Sequence, residues 1–344
     1  MTTPPPPTPS SSPRVWLASH ILAGLGLISI LVWHLPAALF AGLLVYALVQ
    51  SLAPLLQRQI PGTGEHAHWL VVALLVTAVV GAITALIIVA IAFLHSEHGG
   101  VAVLFERVSP VLDRARAQLP SWIVEYLPAN PDDIRAVTLE WMKEHTAQLQ
   151  GLGRHALRIL VQIIIGIALG SMVALYKARK LPAGGPLATA LTERAGHLVT
   201  AFRDVVFAQV KISSVNTVLT GIFLLIVLPV FHVYLPLSKT LVVATFVFGL
   251  LPVVGNLITN TLIFVMGLSI SPLVAVAALG YLIVIHKLEY FLNARIIGGQ
   301  ISARAWELLI AMLFMEAVFG APGLIAGPIY YAYLKRELKS SNLI

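Results

Sequence analysis

An all-α, polytopic helical membrane protein of about eight membrane segments is the fold this sequence predicts, with broken or re-entrant helices in its C-terminal third. Three observations predict it. Of 344 residues, 58% are hydrophobic and only 11% are charged, against roughly 25% charged in a soluble domain. The apolar residues fall into runs long enough to cross a bilayer. Late in the chain those runs are interrupted by proline and glycine rather than by charged loops. A soluble enzyme, a disordered regulator and a coiled coil are excluded, because so few charges cannot cover a water-facing surface.

Residues 1–14 form a proline- and serine-rich tail that cannot bury apolar surface. Residues 15–94 hold three transmembrane helices. Val15–Trp33 and a second run from about Pro36 to Leu56 make a tight hairpin, and Trp69–Leu94 follows with 26 residues. About 20 residues at 1.5 Å each cross the hydrocarbon core, so each run can span. Residues 95–153 carry eight acidic and five basic residues and several prolines. They read as an extracytoplasmic helical loop with an apolar stripe at Val103, Phe105, Val108, Val111 and Leu112. A span over 154–176 follows, with Gly166 and Gly170 at the spacing that lets helices approach closely.

Residues 177–211 hold six basic and two acidic residues. That net positive charge, against the net negative loop 95–153, puts 177–211 in the cytoplasm, 95–153 outside and both termini inside. Residues 212–335 form the C-terminal transmembrane core, and 336–344 a cytoplasmic tail. Two interruptions stand in that core, Leu251-Pro-Val-Val-Gly-Asn256 and Phe319-Gly-Ala-Pro-Gly-Leu-Ile-Ala-Gly-Pro328. Proline removes a helix donor, so both should open helices at membrane depth. If each interrupted run crosses once there are eight spans, with 286–304 outside. If both are re-entrant, six helices cross and 286–304 is cytoplasmic.

The net charge of +7 fits basic cytoplasmic loops and comes with no nucleic-acid signature, so the expected partner is the lipid bilayer and not nucleic acid. The absence of cysteine excludes disulfides, thiolate catalysis and thiolate metal sites. There is no phosphate loop, no HExxH and no nucleophile elbow, so neither enzyme chemistry nor a cofactor or metal is expected. His95, Glu97 and His98 read as a solvated loop rather than a metal site, as do His66 and His68.

What remains are polar residues in apolar runs, each a site hypothesis by default. Glu316 interrupts an otherwise apolar helix and could carry a proton, hold a cation or pair with Arg304 or Lys287. His286 and Glu289, at i and i+3, share a helix face, with Asn293 and Arg295 beyond them. The first interruption contributes Pro252, Gly255, Asn256 and Asn260, and the second Gly320, Gly323 and Pro328. Paired discontinuities of this kind mark solute and ion sites in transporters.

At these residues the chain resembles the autoinducer-2 exporter (AI-2E) family, the PerM-like permeases. Leu251-Pro-Val-Val-Gly-Asn256 is similar to the family's Ile-Pro-Tyr-Val/Ile-Gly-Pro element, with Asn256 for its final proline. His286-Lys-Leu-Glu-Tyr-Phe-Leu-Asn-Ala-Arg-Ile-Ile-Gly298 resembles its polar stretch, with Ala294 where proline is usual, and Gly320 to Pro328 before Lys335-Arg336 resembles its last signature. The resemblance implies a multi-pass protein of the bacterial inner membrane that exports a small polar solute, with proton or sodium coupling open. Sodium(lithium)/proton antiport is the alternative, and a non-transporting scaffold or regulator the second. A homo-oligomer is a further expectation, from the glycine spacing and the resemblance.

Overall fold

The computed structural model describes residues 12–60, 66–95, 140, 143–178, 184–250, 254–268, 270–301 and 304–343. Every regular element among them is helical. The apolar stripe at 103–112 and the Glu97–His98 pair lie outside the described residues, as does Pro252.

Helix α1, Pro13–Val32, and α2, Pro36–Gln59, begin at prolines, whose missing N–H costs nothing in a first turn. Helix α3 is Ala67–His95 and α4 is Thr146–Ala178. Helix α5 is continuous over Pro186–Val230, so the part of the basic segment from 186 to 211 and the apolar run after it share one helix rather than meeting at a loop. At 1.5 Å per residue its 45 residues extend about 67 Å. Long and apolar enough to cross a membrane are Pro13–Val32, Pro36–Gln59, Ala67–Ala85, Thr146–Tyr176 and Pro186–Val230.

The two interrupted runs are helical hairpins. Helix α6, Ser238–Gly249, folds back on α7, Val254–Leu268, and Gly255 sits so close to the Phe248 carbonyl that no side chain would fit. After α8, Pro272–Ile301, the second hairpin pairs α9, Ala305–Phe319, with α10, Ala321–Ser340. Its turn is one residue, Gly320 at φ 66° and ψ −152°, a conformation open only to glycine at little cost. Gly323 then abuts Met315 and Gly327 abuts Met312, which fixes the antiparallel register. Lys335 Nζ and Tyr331 hydroxyl both donate to Glu307 Oε2, at 2.6 and 2.5 Å, and close the open end. Helix α10 runs unbroken through Pro328, so the second interruption is confined to Gly320.

The chain divides into two compact units. The first comprises Met1–Val76, Arg158–Val205 and Ile301–Ile344. In it Gly166 and Gly170 of α4 lie against the backbone of Ala38 and Gly42 of α2. Gln162 Nε2 of α4 donates to the His34 carbonyl at 2.8 Å, in the α1–α2 turn. Val45, Val49 and Ala53 of α2, Ala67 and Val71 of α3 and Ala174 of α4 form its core. The second unit comprises Thr77–Leu157 and Val206–Gln300. Phe223, Leu224 and Leu228 of α5, Leu241 of α6, Ile263 of α7 and Ala278 and Leu282 of α8 form its core.

Candidate functional site

A polar cavity interrupts the core of the second unit. It is lined by Asn216 and Thr220 of α5, Thr245 of α6, and Asn256, Thr259 and Asn260 of α7, with Leu282 and Ile285 of α8 as an apolar wall. Its volume is about 10 Å³, the room of roughly one water. Asn216, Thr220, Thr245 and Thr259 are all buried. None of the lining residues is ionisable.

Local sequence chemistry builds this site in three ways. First, the hairpin must satisfy the last carbonyls of α6, which have no partner within the helix. Helix α5 supplies the donors: Gln209 Nε2 bonds the Gly249 carbonyl at 2.7 Å and Ser213 Oγ bonds Phe246 at 2.7 Å. Second, the threonine hydroxyls donate within their own helices, Thr245 to Leu241 at 2.8 Å and Thr259 to Gly255 at 3.0 Å. Their oxygens keep lone pairs free to accept. Third, Asn216 Nδ2 donates to Asn256 Oδ1 at 3.5 Å, a loose bond that a better partner can displace. The result is a neutral cluster of amides and hydroxyls that can coordinate or hydrogen-bond a guest without a fixed charge.

Of the residues singled out in sequence, Asn256 and Asn260 are brought into this cavity and Gly255 makes the tight hairpin beside it. Gly320, Gly323 and Pro328 belong to the other hairpin, in the first unit. Glu316 is exposed on α9, on the face that also presents Leu309 and Leu313, and is not among the cavity residues. His286, Glu289, Asn293 and Arg295 fall on the backbone of α8, and their side chains lie outside the described residues. Sequence reasoning passes over Asn216, Thr220 and Thr245. The signal for two of them is present: Ser213, Asn216 and Thr220 recur at i, i+3 and i+7, a polar stripe down one face of an apolar helix.

Helices of membrane-crossing length and two helical hairpins define a polytopic helical membrane protein, one with a neutral polar cavity in its core. A family model described as AI-2E family transporter matches residues 19–342. The chain belongs to the AI-2E transporter family. No curated protein and no solved structure matches it.

Proposed function

We propose that this chain is a secondary transporter of the bacterial inner membrane that exports a small polar solute by way of the cavity between α5, α6, α7 and α8. The observation that carries the reading is the lining: six uncharged hydrogen-bonding side chains from three helices, one hairpin among them, four of them buried and Asn256 and Asn260 half-buried, in an otherwise apolar core. A buried polar group is costly unless it has work to do or a partner. At about 10 Å³ the cavity has no room for anything larger than a water, so export requires the helices that line it to part. With both interrupted runs as hairpins, six helices cross. That topology puts the basic segment 286–304 and both termini in the cytoplasm, in keeping with the positive-inside rule.

The test is efflux from proteoliposomes preloaded with autoinducer-2, comparing wild type with Asn216→Ala and Asn256→Ala. Each variant is expected to slow efflux about tenfold, the effect of one or two lost hydrogen bonds in a dry site. Wild-type efflux from both folded variants would sink the reading.

The size and oxygen-rich lining of the cavity also favour a second reading, sodium(lithium)/proton antiport, with a dehydrated monovalent cation as the guest. An internal pH dye under an imposed sodium gradient separates the two. Sodium-driven proton movement that is lost in Asn216→Ala supports the antiporter, and its loss in Glu316→Gln would assign the proton to that carboxylate. Silence toward cations and solute alike, from folded protein, favours the scaffold.

A further inference from the structure

Close to the cavity, α5 departs from regular α-helix. Over Phe223–Val227 its ladder widens to a π turn, with the Leu228 N–H reaching back to the Phe223 carbonyl. The cause is Pro229, which lacks an N–H and whose ring crowds the carbonyl four residues earlier. Such turns are rare overall and frequent at functional sites. Facing this one is Tyr281 of α8. Its ring stacks on Phe223 with centroids 4.0 Å apart and planes 9° from parallel. Its hydroxyl donates to the Leu219 carbonyl at 2.9 Å. Leu219 precedes Thr220 and Tyr281 precedes Leu282, and both of those followers line the cavity.

A tyrosine in this apolar setting must find an acceptor for its hydroxyl. With the cavity closed that acceptor is the Leu219 carbonyl. With the cavity open, water admitted between α5 and α8 offers the same bond. The hydroxyl is therefore satisfied in two arrangements, which is what a latch between two states needs.

We propose that Tyr281 is a positioning residue that holds the cavity shut, its hydroxyl on Leu219 and its ring on Phe223 pinning α8 to the π turn of α5. Release of that bond parts α5 from α8 at Thr220 and Leu282. The inference rests on the reading of this cavity as the solute path, and Tyr281 acts through Leu219 and Thr220 rather than by touching solute.

The absence of natural cysteine makes a clean test. Thr245→Cys places one thiol in the cavity, and a membrane-impermeant cationic methanethiosulfonate reagent reports its exposure to water in proteoliposomes. Adding Tyr281→Phe keeps the ring stack and deletes only the hydroxyl. Labelling is expected to speed up about tenfold, as for one hydrogen bond removed from the closed state, with the melting temperature lowered by no more than the few degrees that one bond is worth. Labelling at the wild-type rate overturns the proposal. So does an equal acceleration at Val49→Cys, a fully buried position in the first unit, because that marks general loosening. If Asn216→Ala loses efflux while Tyr281→Phe leaves labelling unchanged, the transport reading stands and the latch falls. Faster labelling together with wild-type efflux from Asn216→Ala keeps the latch and removes the transport reading.

Discussion

Glu337→Gln is expected to destabilise the protein by about 3–5 kcal/mol, the range for stranding one partner of a buried ion pair. Glu337 is 4% exposed, near the end of α10. One carboxylate oxygen accepts from Arg194 Nη1 of α5 and lies 3.5 Å from His20 Nε2 of α1. The other is 3.0 Å from His197 Nδ1 of α5. Three helices of the first unit thus converge on one carboxylate. Arg194 is itself buried, its Nε lacks a partner among the described residues, and Glu337 is the carboxylate it is paired with there. The amide of the variant keeps the shape and removes the charge. Thermal unfolding in detergent should show a drop of several degrees or more. Combining Glu337→Gln with Arg194→Met should recover much of the loss, because the stranded charge rather than the missing bond carries the penalty. A loss below about 1 kcal/mol, the usual worth of an exposed pair, would show that water reaches the cluster.

Gly166→Leu is expected to be as damaging for a different reason. A Cβ on Gly166 would collide with the Ala38 carbonyl, and one on Gly170 with Gly42. The obstacle is backbone, so no rotamer change relieves it. Overpacking a well-fitted interior costs about 1–3 kcal/mol, and more when nothing can give. Here α4 must lift off α2, which also breaks the Gln162 bond to His34. Size-exclusion chromatography and thermal unfolding of Gly166→Leu should report aggregated or strongly destabilised protein. Gly24→Leu is the control, since among the described residues nothing beyond its own stretch of helix lies within 4 Å of a Cβ at that position. Equal behaviour of the two variants would mean that α2 and α4 do not meet as described.

The helical membrane class, the first spans and both late interruptions are legible in the sequence because they rest on local signals: run length, charge and the backbone chemistry of proline and glycine. Gly166 and Gly170 are legible for the same reason. The choice between crossing and folding back is not, because it depends on which residues α6 and α9 meet after the turn. Asn256 and Asn260 stand out because they follow a break. Asn216 and Thr220 do not, because serine and threonine bond their own helices so readily that a polar stripe passes for ordinary packing. Glu316 attracts notice as a lone carboxylate in an apolar helix, yet it lies on the exposed face. Glu337, which sits in an ordinary basic C-terminal segment, has its buried partner Arg194 143 positions away. Pairings over that distance leave no trace in a single sequence.

The brevity of the first hairpin bears on how the chain enters a membrane. Helix α6 has 12 residues and α7 has 15, lengths of about 18 and 22 Å against a hydrocarbon thickness near 30 Å. Neither can be released sideways into lipid as a single stop-transfer segment, and either alone would leave the carbonyls of one and the amides of the other facing hydrocarbon. Gln209 and Ser213, which answer those carbonyls, are synthesised before the hairpin and wait on α5. The insertion machinery therefore has to hold α6 until α7 has emerged, and the pair partitions as one unit against a helix already in place. A ribosome stalled between them leaves a nascent chain whose last helix has nowhere stable to go, which makes this stretch the point of commitment in the protein's biogenesis.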